Sequence, residues 1–251
     1  MSNNMLWLNL RTQLLKQDES GHNYWQEAIT VREWPAKKTV LLLCDVWDKH
    51  WSRGASERVN AMVPRMDQLV GTTRARGVQI VHAPSGNMEY YADEPARKRM
   101  LQAPAADLPG ELELQDPPQP VDATDGGSDT GETSAEAFKA WSQQHPGIWI
   151  DQECDGISDQ GDEVFNLMAM KGIEHILIMG VHTNMCVLNR SFAIKQMVRW
   201  GKDIVLVRDL TDAMYNPAQP PYVSHATGTN LVIEYIEKFW CPSVLSKDLL
   251  E

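Results

Sequence analysis

Cys186 is the residue in this chain best placed by type and context to do chemistry. It lies in GVHTNMCV, where an apolar run ends and a helical pattern begins. With Thr183 or Asn184 as N-cap, Cys186 falls in the first helical turn. Free N–H groups and the positive end of the helix dipole favour a thiolate there, and thiolate is the nucleophilic form of cysteine. A free cysteine is more often a small buried hydrophobe, so position alone does not decide the matter. The company of Cys186 adds to it. Asp45 ends one apolar run, His82 ends a second, and Glu153 follows a third.

Those residues need elements that bring them to one edge. TVLLLCDVW (39–47) is almost continuously apolar, as expected of a strand buried on both faces of a parallel sheet. From Ser56 to about Arg76, Val59, Met62, Val63, Met66, Leu69 and Val70 recur at helical spacing, with Gly77 as the stop. GVQIVHAP (77–84), GIWI (147–150), EHILIMG (174–180) and DIVLVRD (203–209) give further strands. DEVFNLMAMKG (162–172), CVLNRSFAIKQMVRWG (186–201) and about Asn230 to Trp240 give helices. This alternation specifies βαβ units and a three-layer α/β/α sandwich with a mostly parallel central sheet, Rossmann-like in construction. Ligands of such sheets bind beyond the carboxyl ends of the strands, where Asp45, His82, Glu153 and Cys186 are expected.

Residues 1–38 read as an amino-terminal arm with a possible short strand in WQEAITVREW, and 39–251 as a single domain. An insertion at about 93–133, rich in Pro, Asp, Glu and Gly, breaks the rhythm. DATDGGSDTGE within it is a flexible acidic tip or a lid.

DVWDKHW after one strand and GVHTNMCVLNRSFAIKQ after another resemble the isochorismatase-like cysteine hydrolase superfamily. That group includes nicotinamidases and N-carbamoylsarcosine amidohydrolases. The resemblance runs from about Thr39 to Trp240. It implies that Cys186 attacks a carbonyl carbon and that Asp45 takes the thiol proton and passes it to the leaving amine. It also implies an oxyanion hole from the backbone N–H groups of His182 and Cys186, with a cis Val181–His182 peptide. The family's catalytic Lys is absent. Counting back from Gly161 and the helix DEVFNLMAMKG, its place falls on Glu153, with Gln152 as neighbour; Lys139 and Lys171 are not at strand ends and are not easy substitutes. An anion there opposes thiolate formation. Either Glu153 is protonated beside Asp45, or a cation intervenes: His50, His82, His182 or a divalent metal. Asp48, His50 and His82 are the candidate metal ligands, although the leading reading requires no cofactor.

Trp47, His50, Trp51, His82 and Tyr215 are the candidate substrate-binding residues, the tryptophans suiting a planar amide or ring. Met214 and Asn216 are weaker candidates, His225 resembles a structural family histidine, and Arg97-Lys98-Arg99 reads as solvated surface. The expected activity is hydrolysis of a small amide, ureide or imide C–N bond through a thioester. The alternatives are isochorismatase-type vinyl ether hydrolysis and a catalytically decayed small-molecule-binding protein.

A net charge of −11 argues against a nucleic-acid partner. Cys44, Cys154, Cys186 and Cys241 form no CxxC pair and read as free thiols. With no signal-peptide core and no run of membrane-spanning length, a cytoplasmic protein without a membrane partner is expected. A homo-oligomer is implied by the resemblance alone.

Overall fold

The computed structural model describes residues 4–133 and 139–250. Its centre is a strand pair made by the two most apolar runs. Strand β3 (Thr39–Cys44), buried along its whole length, lies parallel to β6 (His175–Val181) with Leu41 opposite Leu177. On one side of this pair come β4 (Gln79–Ala83) and the two-residue β5 (Gly156–Ile157). On the other come β7 (Asp203–Asp212) and β8 (Ser243–Val244). These six strands are parallel.

Residues 5–35 are not a loose arm. They form two 13-residue strands, β1 (Met5–Gln17) and β2 (Asn23–Pro35), paired antiparallel without a bulge. The hairpin extends the sheet to eight strands in the order β2-β1-β8-β7-β6-β3-β4-β5. Leu6, Leu8 and Leu10 alternate inward and are buried, while Trp7, Ile29 and Val31 face out. The period of two is what a half-buried strand requires.

Helices cover both faces. On one, α1 (Arg53–Ala75) and the C-terminal α7 (Ser246–Leu250) pack Val59, Met66, Leu69 and Leu249 onto Leu41, Leu43 and Leu177. The opposite face carries α2 (Pro95–Leu101), α3 (Gly161–Lys171), α4 (Cys186–Asn189), α5 (Ile194–Arg199) and α6 (His225–Phe239). Val164, Leu167, Leu188, Val232 and Ile236 from these helices, with Phe192 between α4 and α5, bury Leu42, Ile176 and Leu206. The three-layer α/β/α sandwich is the architecture, with a mixed sheet because of the hairpin. Among the described residues no helix is long and apolar enough to cross a membrane.

Two further elements differ from the sequence expectation. GIWI is not a strand: it starts in the turn at Pro146-Gly147, buries Ile148 and leaves Trp149 61% exposed, while the edge strand forms at Gly156–Ile157. The expected single helix over 186–201 is two short helices, because Arg190 turns to extended backbone (φ −61°, ψ 154°). At that break Gly161 packs directly on the backbone of Ser191, where a Cβ would stand 2.0 Å from the Ser191 carbonyl oxygen.

The 93–133 segment is held down along its length. Leu112 N–H donates to Arg199 O at 2.8 Å, Lys195 Nζ meets Asp116 Oδ2 at 2.7 Å, and Gln119 Nε2 reaches Asn184 O at 2.9 Å. The Gly-rich tip lies against the start of α1, where Arg58 Nη1 donates to Asp129 Oδ2 at 2.8 Å and Ser128 Oγ donates to Ser52 Oγ at 3.0 Å.

Candidate active site

Asp45 follows β3 directly, with a left-handed φ of 50° that no β-strand residue adopts. Its carboxylate is fully buried and held on both oxygens. Ser85 N–H donates to Oδ1 at 2.8 Å, and Arg190 Nε donates to Oδ2 at 3.0 Å, with Nη2 in ion-pair contact at the same distance. Next to it Gly180 (φ 119°), the penultimate residue of β6, has a bare Cα that lets the strand pass beside β3. An added Cβ would stand 2.0 Å from Cys44 O. The Val181–His182 peptide that follows is cis.

Thr183 and Asn184 do not cap the next helix. They tie the turn to the end of β7 and the residues after it: Thr183 N–H donates to Asp212 O at 2.9 Å, and Asn184 makes a reciprocal pair with the Met214 backbone at 2.8 and 2.9 Å. The cap residue is Met185, without a side-chain hydrogen bond, and α4 is a single turn starting at Cys186. Cys186 thus lies in the first turn as expected, but its electrostatics differ from the expectation. Burial, and then the neighbouring Asp45 carboxylate, push the thiol up to about 12, with Arg190 and the His182 backbone N–H opposing. One turn of helix with a weak dipole does not offset that. At neutral pH Cys186 is therefore a thiol beside Asp45, not a preformed thiolate. The carboxylate is itself raised by burial, against the pull of Arg190, Cys186 and Ser85.

Glu153 is not part of this site. Because β5 begins three residues after it, Glu153 sits at the amino edge of the sheet, the edge opposite Asp45 and Cys186. It is exposed there, with its carbonyl accepting from Arg99 Nη2 at 2.6 Å. Gln152 is bound at the same edge, its Oε1 accepting from Ala96 N at 3.1 Å. The residue that follows β5 is Ser158, whose hydroxyl is spent on Glu163 at 2.5 Å. The cation beside Asp45 comes instead from Arg190, four residues after Cys186, a position that sequence reasoning missed. Arg190 stands just past a one-turn helix, on extended backbone, so no periodic pattern in the sequence marks it.

A narrow pocket opens between the end of β3 and α1, lined by Asp45, Trp47, His50, Val59, Val181 and His182. Its wall is aromatic. Trp47 stacks on Trp141 with ring centroids 4.1 Å apart, His50 lies parallel to Trp141 at 5.9 Å, and Trp51 leans on His50 at 5.2 Å. Trp47 Nε1 donates to Ser85 O at 3.3 Å, tying the wall to the residue that holds Asp45. His50 stands edge-on to His182 at 4.8 Å. Burial pushes His50 down to about 4 and His182 to about 3, so both rings are neutral near pH 7. His182 Nε2 is buried without a hydrogen-bond partner among the described residues.

Two other candidates for this pocket are scaffold. His82 points into the α1 face, bonded through Nδ1 to Gln144 at 2.7 Å and through Nε2 to Asp155 at 3.0 Å. Tyr215 is a core residue whose hydroxyl donates to Gln219 O at 2.9 Å. The proposed metal ligands do not converge either. Asp48 is engaged with Ser142 Oγ at 2.7 Å, and His50 Nδ1 accepts from Ser52 N–H at 3.1 Å. Among the described residues no three His, Cys, Asp or Glu side chains stand together as a metal site.

The fold is one seen in solved isochorismatase structures. The match to a putative isochorismatase from Burkholderia xenovorans LB400 has 12% identity and a TM-score of 0.51, covering 85% of this chain and 86% of that one. An isochorismatase from Pseudomonas putida KT2440 gives 12% identity and a TM-score of 0.50 over 84% and 90% of the two chains. A cysteine hydrolase from Pseudomonas syringae pv. phaseolicola 1448A is also similar, at 13% identity and a TM-score of 0.47 over 86% and 93%. No family model matches the chain, and no curated protein does.

Proposed function

We propose that this chain is a cysteine hydrolase that cleaves the C–N bond of a small amide, ureide or imide through a thioester. The observation that carries the reading is the pairing of Cys186 with Asp45. Asp45 after β3 and Cys186 at the start of α4, which follows the adjacent β6, face each other, and each perturbs the other's proton affinity.

The chemistry follows from the protonation state. Asp45 takes the thiol proton as the Cys186 sulfur bonds to the carbonyl carbon, so a free thiolate need not accumulate. The backbone N–H of His182 favours the charged form of the Cys186 sulfur. With the Cys186 N–H it is the donor pair for the oxyanion that forms beside that sulfur, and one such donor contributes on the order of a hundredfold in rate. When the oxyanion collapses, the C–N bond breaks and Asp45 returns its proton to the leaving amine. Water then attacks the thioester, again losing its proton to Asp45, and the acid departs with the thiol restored. The neutral aromatic wall of Trp47, Trp141 and His50 suits an uncharged planar group.

A panel of small amides, ureides and imides supplies the test. Turnover is expected in the native chain with an acyl group trapped on Cys186 by mass spectrometry, and none in Cys186→Ala. Full activity of Cys186→Ala on a substrate of the native protein, isochorismate included, would remove the reading.

A further inference from the structure

We infer that Arg190 is the positioning residue that keeps Asp45 an ionised base, doing from the nucleophile's own helix what the absent lysine would do from a neighbouring strand. The inference rests on the cysteine-hydrolase reading above and specifies how that site is activated.

Asp45 is a poor base without help. Burial alone disfavours its charged form, and a protonated Asp45 cannot accept the Cys186 proton. The groups facing the pair are few. Cys44 precedes Asp45 on β3 and is buried, Ser85 after β4 donates a backbone N–H, and His182 after β6 and His50 in the pocket are neutral. Lys139 and Asp159 sit one residue further out, on the carbonyl and the N–H of Gly86, where their charges oppose each other. Arg190 is the cation in contact with the carboxylate. Its Nε donates to Oδ2 at 3.0 Å, with Nη2 at the same ion-pair distance.

The backbone is shaped for that contact. Arg190 N–H closes the single turn of α4 on Cys186 O at 3.0 Å, after which the chain becomes extended. The nucleophile and the arginine are therefore set by one turn of backbone, and both address the same carboxylate. The arrangement also places positive charge where negative charge develops on sulfur, since Arg190 acts on the thiol as well as on Asp45.

The test uses the full chain carrying Cys154→Ser, which removes the exposed thiol. Alkylation of Cys186 by iodoacetamide is followed by peptide mass from pH 4 to 10, with amide turnover measured in parallel. In Arg190→Gln the acidic limb of both profiles is expected to move to higher pH, because burial of Asp45 is then uncompensated. Turnover at neutral pH falls on the order of a hundredfold or more, the usual worth of a positioned base. Arg190→Lys keeps the charge without the planar fork and is expected to bring the limb back toward the native value. Should Arg190→Gln misfold, as judged by its melting curve, the lysine variant still reports, since a purely structural arginine gives no reason for its limb to track charge. A limb unmoved in folded Arg190→Gln would overturn the inference while leaving Cys186 as nucleophile. A native Cys186 that labels no faster than an exposed thiol, without turnover, would instead overturn the hydrolase reading and this inference with it.

Discussion

Replacing Asp155 by Asn decides whether the buried charges at the amino edge of β4 and β5 belong to the scaffold or to the site. The Asp155 carboxylate is 1% exposed and accepts from Arg74 Nε at 2.9 Å, from His82 Nε2 at 3.0 Å and from Asp151 N–H at 2.8 Å. Burial works against its charge, but His82 and Arg74 outweigh it and hold the group at about 2 instead of 3.8. Such a fall is worth about 2 kcal/mol at neutral pH. The Asn variant keeps the shape but leaves the half-buried Arg74 without its counter-ion, a loss of about 3 kcal/mol for an interior pair. For a chain of this size the melting temperature should drop by roughly 5–10 °C at pH 7. The sign with pH is set by the depressed carboxylate. Its contribution is present above about pH 4 and is lost as pH falls toward 2, so native and variant melting curves should converge on acidification. Activity per folded molecule should stay near native, because His82 faces α1 and not the pocket. Scanning calorimetry from pH 7 to 2.5 with turnover at pH 7 makes the measurement. An unchanged melting temperature with lost turnover would refute the assignment and return His82 to the site.

Two further outcomes follow from the pocket's surroundings. Gly127 has a φ of 76°, and a Cβ on it would stand 2.4 Å from Met214 O, so Gly127→Ala should lift the 122–132 segment off the start of α1. Limited proteolysis there should quicken severalfold, with KM rising more than kcat falls; an unchanged digestion pattern would count against tight seating. His50 is neutral above about pH 5. In His50→Asn the kcat/KM profile between pH 5 and 8 should therefore keep its shape, with a loss of less than about tenfold from weakened stacking. A missing limb in that variant would make His50 a titrating participant.

Legibility in the sequence follows how each feature is encoded. The central strands are written in runs such as TVLLLC and HILIMG, because burial on both faces demands apolar residues at every position. The core helices show their period for a related reason, each burying one stripe. β5 is illegible because two residues at a sheet edge carry no period, and that omission displaced Glu153 to the wrong end of the sheet. The hairpin was undervalued because its apolar alternation, Leu6, Leu8 and Leu10, sits among polar letters that resemble a terminal arm. His82 and Tyr215 look chemical by type but are consumed by Asp155 and Gln219, partners 73 and 4 residues away, and only the fold reveals which polar groups are already satisfied.

Asp45 and Cys186 could be read because a strand end and a helix start are both local events. The cation could not, because its position depends on where a helix stops. An unbroken helix from Cys186 to Gly201 would carry Arg190 onward along its own axis. The observed break at Arg190, made where Gly161 packs on Ser191, lets the guanidinium lie against Asp45. Activation of the thiol in this chain therefore depends on a helix terminus that neither composition nor period encodes. It also ties three elements to one carboxylate: the residues after β4 through Ser85, α4 through Cys186, and the break after α4 through Arg190. A carboxylate fixed from three directions has little freedom to reorient. That rigidity is what a base requires if it is to take a proton from sulfur, hold it, and return it to nitrogen on the same face of the substrate.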